Sequence, residues 1–356
     1  MTTRRDFIGG AASAMTGVAF VGCDLINPAH VHAQPSVRRR KVAVNGRRVK
    51  TVDVHAHCAF PDVMAMMGLK VNLENLVMGA ERIRAMDEQG IDVEALSINP
   101  YWYKAERDVA QALIKLQNEK LAELCATQPD RFVAFATIAL QHPDLAVQQL
   151  EDGIKKLGLR GVSVGGSVNG LELADPKFHP VWAKAEELGC LVFIHPVGTP
   201  DLGKRLGGNG GLTNTIGNPL ETTLALSHLI NEGTLDRFPG LKICAAHGGG
   251  YLPSYAPRSD AVCVTFPDRC AGVPLKKKPT EYLRRLYYDS IVFTPEALRH
   301  LIAEVGVGQI VMGTDYPFPW TKTSVDHILK TPGLSNTDRR AILGDTASRL
   351  LGIKAG

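Results

Sequence analysis

Histidine and aspartate side chains close four short apolar runs of this sequence. A spacing of two residues puts the imidazoles of His55 and His57 on one face of a strand, where both can bind the same metal ion. His195 closes a second apolar run, His247 closes a third, and Asp315 follows a fourth. Three neutral imidazoles and one carboxylate suit Zn²⁺ and leave a position open for water or substrate. Two exposed histidines would explain His55 and His57 taken alone, but not easily the whole set.

A fourth histidine then remains to move protons. We predict that role for His247, because the three glycines 248–250 follow it and would let a substrate approach the backbone. Asp315 is expected to act both as a metal ligand and as a catalytic residue. The run 161–166 has no Lys or Glu that could bridge a second metal, so the sequence predicts one zinc ion per chain. Asp289 ends another run and could orient His247 or a ligand, whereas His300 lies on a predicted helix and is interpreted as a surface or core residue.

The elements that must position these residues follow a regular alternation from residue 50 onward. Short β-branched apolar runs alternate with longer segments of helical period. The eight runs are 50–57, 93–99, 132–140, 161–164, 190–195, 242–247, 287–293 and 309–314. Eight such units indicate a single-domain (β/α)8 barrel of the α/β class, with its chemistry at the carboxyl ends of the strands. An open doubly wound sheet is the alternative, but it would want a Gly-x-Gly-x-x-Gly turn after the first strand, where this chain has His55-Ala56-His57.

The first 50 residues have a different character. An arginine pair, Arg4-Arg5, precedes a modestly apolar run that ends near residue 22, which is typical of a twin-arginine export signal. Two processing sites compete: cleavage after Ala33, or lipidation of Cys23 in a lipoprotein-like box. We therefore predict a signal peptide over 1–33, a basic flexible lead-in over 34–50 and the barrel over 51–356. The mature protein would be periplasmic, and it would meet the membrane only through the signal or a lipid on Cys23.

Composition excludes several classes of protein. The chain has 356 residues, of which 45% are hydrophobic and 21% charged, so it is long enough and apolar enough to bury a large core. Residues 1–50 hold nine Arg and Lys against two Asp, which leaves a net charge of about −3 on the remainder. Such a body is a poor candidate for binding nucleic acid.

The seven cysteines include no Cys-x-x-Cys spacing, which excludes a zinc ribbon or a thioredoxin-like site. Cys190 and Cys244 lie inside apolar runs and are expected to be core thiols. The sequence leaves open whether Cys263 and Cys270 pair.

The set His55-x-His57, His195, His247 and Asp315 resembles the amidohydrolase superfamily. Longer stretches are similar to its aminocarboxymuconate-semialdehyde decarboxylase branch, which also holds resorcylate-type decarboxylases; they are 82–87, 131–135, 218–223, 238–242, 246–250 and 313–319. The resemblance implies metal ligands at His55, His57, His195 and Asp315, with His247 as the acid/base. It also implies that Arg258 binds a substrate carboxylate in the neighbouring subunit's site, and hence a homodimer.

The chain departs from that decarboxylase in one segment. Residues 58–79 are short and Met-rich, with Lys70 as their only cation, where the muconate decarboxylase carries a longer loop with an arginine for its substrate. Arg82 and Arg84 lie on the following predicted helix and align with structural positions. The departure argues against the aminocarboxymuconate substrate itself and less against the chemistry of the branch.

Three functions follow from these observations. The leading hypothesis is non-oxidative decarboxylation of a small unsaturated or aromatic carboxylic acid, with His247 as the proton donor. The alternative is a metal-dependent hydrolase or hydratase acting on a small carboxylate-bearing amide, ester or lactone, because the same ligands would serve both reactions. A noncatalytic metal-binding protein is the third, although a metal sink would not require His247 and its glycines.

Overall fold

The protein is described by a computed structural model that covers residues 38–354. The predicted signal segment, with Cys23 and Ala33, lies outside these residues. The strands, in chain order, are β1 Ala43–Val44, β2 Arg47–Arg48, β3 Val52–His57, β4 Val93–Ser97, β5 Phe132–Ala134, β6 Gly161–Gly165, β7 Ser167–Val168, β8 Leu171–Glu172, β9 Leu191–His195, β10 Lys242–Ala245, β11 Tyr287–Asp289 and β12 Ile310–Val311. β1 pairs with β2 and β7 with β8 as short antiparallel hairpins, and every other pairing is parallel. All eight predicted runs therefore contain a strand.

The eight parallel strands neighbour one another in sequence order. One sheet holds β3, β4 and β5, and the other holds β6, β9, β10, β11 and β12. A parallel bridge between Ala136 and Val162 joins the two sheets at one seam, and a bridge between Ala56 and Tyr316 joins them at the other. The result is an α/β fold of parallel strands, as the sequence predicts. A closed order of neighbours is the arrangement of a (β/α)8 barrel, and it brings all the carboxyl ends of the strands to one edge.

Helices follow each of these parallel strands. The α-helices are Pro61–Ala65, Ala80–Gln89, Arg107–Thr127, Pro143–Lys155, His179–Leu188, Asn218–Asn231, Thr234–Arg237, Leu252–Thr265, Pro279–Tyr282, Pro295–Val305, Ser324–Lys330, Asn336–Arg340 and Thr346–Leu351. Local chemistry sets their ends: Thr294 accepts a hydrogen bond from the Ala297 N–H at the start of one helix, and Gly90 and Gly189 end two others in the left-handed conformation. Within 38–354 no helix is both long and apolar enough to cross a membrane.

The buried side chains form two clusters on opposite faces of the strands. The larger cluster fills the space between strands and helices and includes Cys190. The smaller one includes Val54, Phe193 and Cys244, and in it Phe135 stacks on Phe193 at 5.5 Å between ring centroids. Cys190 and Cys244 are both buried free thiols, as predicted. Because strand side chains alternate between faces, apolar runs of this kind supply both clusters at once.

The prediction of a flexible lead-in over 34–50 is wrong for the part that the structure describes. Its described part, 38–50, is folded: β1 and β2 form a hairpin, and Val42, Val44 and Val49 are each only 3% exposed. The many basic residues of the segment suggested a solvated chain. Its valines instead alternate with them and pack on the barrel, while the arginines lie at the surface. One of those arginines, Arg40, pairs with Asp326 at 2.6 Å.

The segment after the three glycines is helical. It contains two prolines and has a weak helical period, yet Leu252–Thr265 forms a helix. Pro253 occupies its first turn, where the missing N–H costs nothing, and the exposed Pro257 loses one backbone hydrogen bond. A disulfide joins Cys263 to Cys270 where this helix ends.

Candidate metal centre

Four predicted ligands meet at the carboxyl edge of the strands. One ligand atom from each of His55, His57, His195 and Asp315 lies within 4.8 Å of all the others, and all four residues are buried. The Nε2 atoms of His55 and His57 are 3.0 Å apart. Asp315 Oδ1 lies 3.1 Å from the first of these nitrogens and 2.9 Å from the second. No other cluster of three or more metal-binding side chains occurs within the part of the chain that the structure describes.

The Nδ1 atom of each of the three histidines in the cluster lies within hydrogen-bond distance of another group. His55 Nδ1 donates to Asp289 Oδ2 at 2.6 Å, and His195 Nδ1 donates to the carbonyl oxygen of Pro196 at 2.8 Å. His57 Nδ1 lies 3.1 Å from the hydroxyl of Ser97, which closes β4. A carboxylate and a carbonyl can only accept, so neutral His55 and His195 each direct the lone pair of Nε2 into the cluster. Asp289 thus orients a ligand, as the sequence suggested, while Ser97 was missed although its place at a strand end is the same signal.

Burial and neighbouring charges shift the pKa values of all four residues in the cluster. Burial opposes a charge on His55, but the carboxylates of Asp315 and Asp289 outweigh it and raise the pKa of His55 to about 10. Burial lowers the pKa of His57 to about 4 and also lowers the pKa of His195 well below its usual value. Burial would raise the pKa of Asp315, yet the charge of His55 and hydrogen bonds from the imidazoles hold it far below its ordinary range. The centre therefore stabilises positive charge beside an ionised Asp315.

These observations fit a divalent cation. Nitrogen lone pairs 3.0 Å apart repel unless a proton or a cation lies between them. Three imidazoles and one carboxylate form a donor set that divalent transition metals accept, and their outer hydrogen bonds are those that commonly fix metal-binding histidines. The described residues therefore support one divalent metal site.

His247 lies beside this cluster without joining it. Its Nε2 is 3.7 Å from Asp315 Oδ2, and 15% of its side chain is exposed. Asp289 accepts hydrogen bonds from the backbone N–H groups of His247 and Gly248, at 2.8 and 2.9 Å. His247 has a φ of 55°, a left-handed conformation that is uncommon outside glycine and is held here by these two bonds. The carboxylate of Asp289 thus orients the imidazole of His55 and also fixes the backbone of His247, the predicted proton donor.

The glycines after His247 have a different role from the one expected. All three have positive φ, and a Cβ on each would meet a neighbour: Gly248 meets Val292, Gly249 meets Tyr288, and Gly250 overlaps the carbonyl oxygen of Pro219. The turn therefore needs glycine for its backbone and its packing first. Gly248 and Gly250 also line a cavity, and the approach of a substrate to their backbone stays a prediction.

Two adjoining cavities open at the metal cluster. The larger has a volume of about 520 Å³ and the smaller about 390 Å³. They share the side chains of Asn214, Asn218, His247, Asp315 and Trp320. The larger is mainly apolar. His300, an exposed residue of the helix Pro295–Val305, also lines it and lies 2.9 Å from the hydroxyl of Ser254. The smaller one reaches His57 and His195.

No Lys or Arg of the described chain lines either cavity. Lys70 is not among the lining residues, and Arg258 is exposed on its helix. Arg82 is buried and pairs with Glu94 at 2.6 Å while donating to the carbonyl oxygen of His57, so it has the structural role predicted for it. A carboxylate bound by this chain alone would meet the metal centre, the imidazoles of His247 and His300, and uncharged polar groups.

The loop after His195 is held by a residue that the sequence analysis missed. The carboxylate of Glu221 accepts from the N–H groups of Val197 and Gly198, both at 2.6 Å, and from the hydroxyl of Ser167 at 3.0 Å. Burial raises the pKa of Glu221. Glu221 lies in the stretch 218–223 that resembles the decarboxylase branch, but a charged residue inside a helix does not reveal from sequence whether it faces a buried or an exposed side.

Comparisons with known proteins agree with this geometry. A family model described as amidohydrolase matches residues 52–353. The 2-amino-3-carboxymuconate-6-semialdehyde decarboxylase of Dictyostelium discoideum is 32% identical over 323 residues, which cover 88% of this chain and 82% of that protein. The gamma-resorcylate decarboxylase of Polaromonas sp. is 31% identical over 287 residues, which cover 76% of this chain and 86% of that protein.

A solved structure adds the metal. The dihydroxybenzoic acid decarboxylase of Polaromonas sp. JS666, with bound manganese and the inhibitor 2-nitroresorcinol, superposes with a TM-score of 0.77 at 27% identity and covers 86% of this chain and 97% of its own. The expected single divalent site is supported, while the choice of zinc stays a prediction. The chain belongs to the amidohydrolase family, in the branch that holds the aminocarboxymuconate-semialdehyde and resorcylate decarboxylases.

Proposed function

We propose that this protein is a metal-dependent, non-oxidative decarboxylase of a small aromatic carboxylic acid. The observation that carries the proposal is the single cluster of His55, His57, His195 and Asp315 with His247 beside it on the same cavities, in a chain whose relatives are decarboxylases. Neither relative supports the alternative of a hydrolase. The lack of a lining Lys or Arg in the described chain favours a monocarboxylic acid with neutral ring substituents over a dicarboxylic acid.

The metal ligands and His247 have different roles in the proposed decarboxylation. A divalent cation, when bound by the four ligands, supplies positive charge that orients the substrate's oxygens and stabilises negative charge. His247 delivers a proton to the ring carbon that bears the carboxylate. The C–C bond to the carboxylate then breaks, its electron pair returns to the ring, and CO₂ leaves. The carboxylate of Asp315 lies 3.7 Å from His247 Nε2, the atom that delivers the proton.

Isotope incorporation tests this function. The metal-loaded protein should release CO₂ from at least one of a panel of hydroxybenzoates. In D₂O the product should carry one deuterium at the vacated carbon, since the proton on His247 exchanges with solvent. Release of no CO₂ from any acid, together with turnover of lactones or amides, would refute the proposal.

The native metal is zinc or manganese in this proposal. The imidazole-rich donor set favours zinc, and the manganese in the dihydroxybenzoic acid decarboxylase favours manganese. Elemental analysis of protein purified without added metal, followed by activity after reconstitution with each ion, distinguishes the two.

Arg258 completes the site of a partner subunit in this proposal, and the active unit is a homodimer. Arg258 is exposed and outside both cavities of its own chain, and no Lys or Arg among residues 38–354 lines either cavity. An Arg258→Ala variant should raise KM about tenfold or more, because a charged hydrogen bond contributes about 1.5–3 kcal/mol. Mixing it with a His247→Ala variant should restore activity, since one site of each hybrid dimer keeps both residues. Full activity in a monomer would contradict the shared site.

Export by the twin-arginine route is the remaining part of the proposal, with residues 1–33 as the signal and cleavage after Ala33 or lipidation at Cys23. The four ligands lie on or just after three separate strands, since His55 and His57 share β3, and they meet only when the chain has folded, so metal loading before export would control which ion is bound. An Arg4→Lys, Arg5→Lys double variant should retain active protein in the cytoplasm. Normal periplasmic activity of that variant would contradict this route, and mass spectrometry of the mature amino terminus identifies the processing site.

A further inference from the structure

A basic cavity lies at the amino ends of the strands, on the opposite edge from the metal centre. Its volume is about 580 Å³, which is within the range of small-molecule sites. Lys50, Asp92, Asp130 and Arg160 line it, and each stands one or two residues before a parallel strand. Because these strands are parallel, their amino ends share one edge, and the six residues of β3 separate it from the ligands by about 20 Å.

Cations dominate the lining of this cavity. The six basic residues are Arg39, Lys41, Arg48, Lys50, Arg160 and Lys354. Among residues 38–354, the only acidic lining residues are Asp92 and Asp130, so these described walls carry a net charge of +4. A concave surface lined by one sign of charge concentrates counter-ions more strongly than a flat patch does.

Some of this charge has a structural explanation. Arg39 and Arg48 both pair with Asp92 and so tie the β1–β2 hairpin to the barrel. Lys50 Nζ donates to the carbonyl oxygen of Lys354 at 2.6 Å, which ties the start of β3 to the end of the described chain. These contacts neutralise one carboxylate and leave most of the cations unmatched.

Three cations have no such explanation. The side chains of Lys41, Arg160 and Lys354 make no hydrogen bond or ion pair with any residue between 38 and 354. They come from the amino-terminal hairpin, the start of β6 and the end of the described chain, and they converge on one cavity. Like charges held together in this way repel, and a multivalent anion between them would turn that repulsion into attraction.

We propose that this cavity binds a small soluble anion that carries two or more phosphate groups. The Arg guanidinium matches the geometry of phosphate oxygens, the lysines add point charges, and the net charge of the walls balances a diphosphate. The concave shape favours a soluble anion over a membrane surface. Bound there, the anion ties together three segments that are far apart in sequence and stabilises the fold without entering the metal centre.

Thermal unfolding with inorganic pyrophosphate tests the proposal. At a hundredfold excess over its Kd, pyrophosphate should raise the Tm of the full chain by about 5 °C, measured against sodium chloride of equal ionic strength. A Lys41→Gln, Arg160→Gln, Lys354→Gln variant should lose this shift, and calorimetry should show its affinity for pyrophosphate reduced about a hundredfold or more. Because these side chains have no partner among residues 38–354, the variant should fold, and decarboxylation should be unchanged.

A matched control removes the same charge elsewhere. The Lys276→Gln, Lys277→Gln, Lys278→Gln variant changes three exposed lysines outside this cavity and should keep the full shift. The single variant Arg160→Gln should give an intermediate affinity. No shift in the unaltered protein, or an equal loss in both triple variants, would overturn the proposal. Binding to anionic phosphatidylglycerol vesicles without binding to pyrophosphate would overturn the choice of a soluble anion.

Discussion

Replacing Asp289 by asparagine perturbs the metal centre and the proton donor through one side chain. Asp289 accepts four hydrogen bonds: from His55 Nδ1 at 2.6 Å and from the backbone N–H groups of His247, Gly248 and Ile291 at 2.8, 2.9 and 3.0 Å. Each carboxylate oxygen accepts two of them. In asparagine an NH₂ group, which can only donate, replaces one of the two oxygens. The two N–H groups that this oxygen accepted then face another donor, so at least two of the four hydrogen bonds are lost.

The size of the effect follows from these bonds. A hydrogen bond to a charged group contributes about 1.5–3 kcal/mol, and relaxation of the site recovers part of the loss. We expect the affinity for the divalent metal to fall about a hundredfold, close to the upper end of what loss of such a supporting residue causes. We also expect kcat at saturating metal to fall, because the bonds that fix the backbone of His247 depend on the same carboxylate.

Competition against a chelator of known affinity measures the first effect, and circular dichroism checks that the variant folds. Ser97→Ala is the matched control, since it removes a single neutral contact of 3.1 Å to His57. It should cost about 0.5–1.5 kcal/mol, or roughly two- to twelvefold in affinity. An Asp289→Asn protein that binds the metal as tightly as the Ser97→Ala protein would refute the reasoning.

Three further predictions concern other parts of the molecule. His247→Ala should abolish decarboxylation while metal affinity, measured by the same competition, stays within about threefold, because a residue outside the ligand cluster removes no ligand atom; a large loss of affinity would place it among the ligands. Gly344→Ala should destabilise the fold by about 3 kcal/mol or more in urea unfolding, because its Cβ would overlap a backbone carbonyl oxygen, whereas Gly308→Ala, with open space around it, should be nearly neutral; equal effects would contradict the packing described. Replacing Cys263 and Cys270 by serine should lower the free energy of unfolding by about 2 kcal/mol, and added reductant should then have no further effect.

The sequence by itself predicted the candidate ligand set and the succession of eight parallel strands. His55, His57, His195 and Asp315 were identified because each closes an apolar run, and in a parallel fold every such end lies at one edge. The spacing of two between His55 and His57 requires no tertiary information, since alternate residues of a strand share a face. Asp289 was found by the same rule. These features are local, and local periodicity is what a sequence displays directly.

Tertiary structure decided the features that depend on contacts between distant segments. Lead-in residues that looked mobile form a hairpin because three valines find a surface to cover, and the helix Leu252–Thr265 forms despite Pro257 because the barrel supplies its packing. Ser97 and Glu221 became visible as supports only when their partners, 40 and 24 residues away, were in place. The same holds for the basic residues: among residues 38–354, no Lys or Arg lines the two cavities at the metal cluster, whereas six line the cavity at the opposite edge. A charge pattern along the chain does not reveal which edge of the barrel each side chain lines, because that depends on the closure of all eight strands.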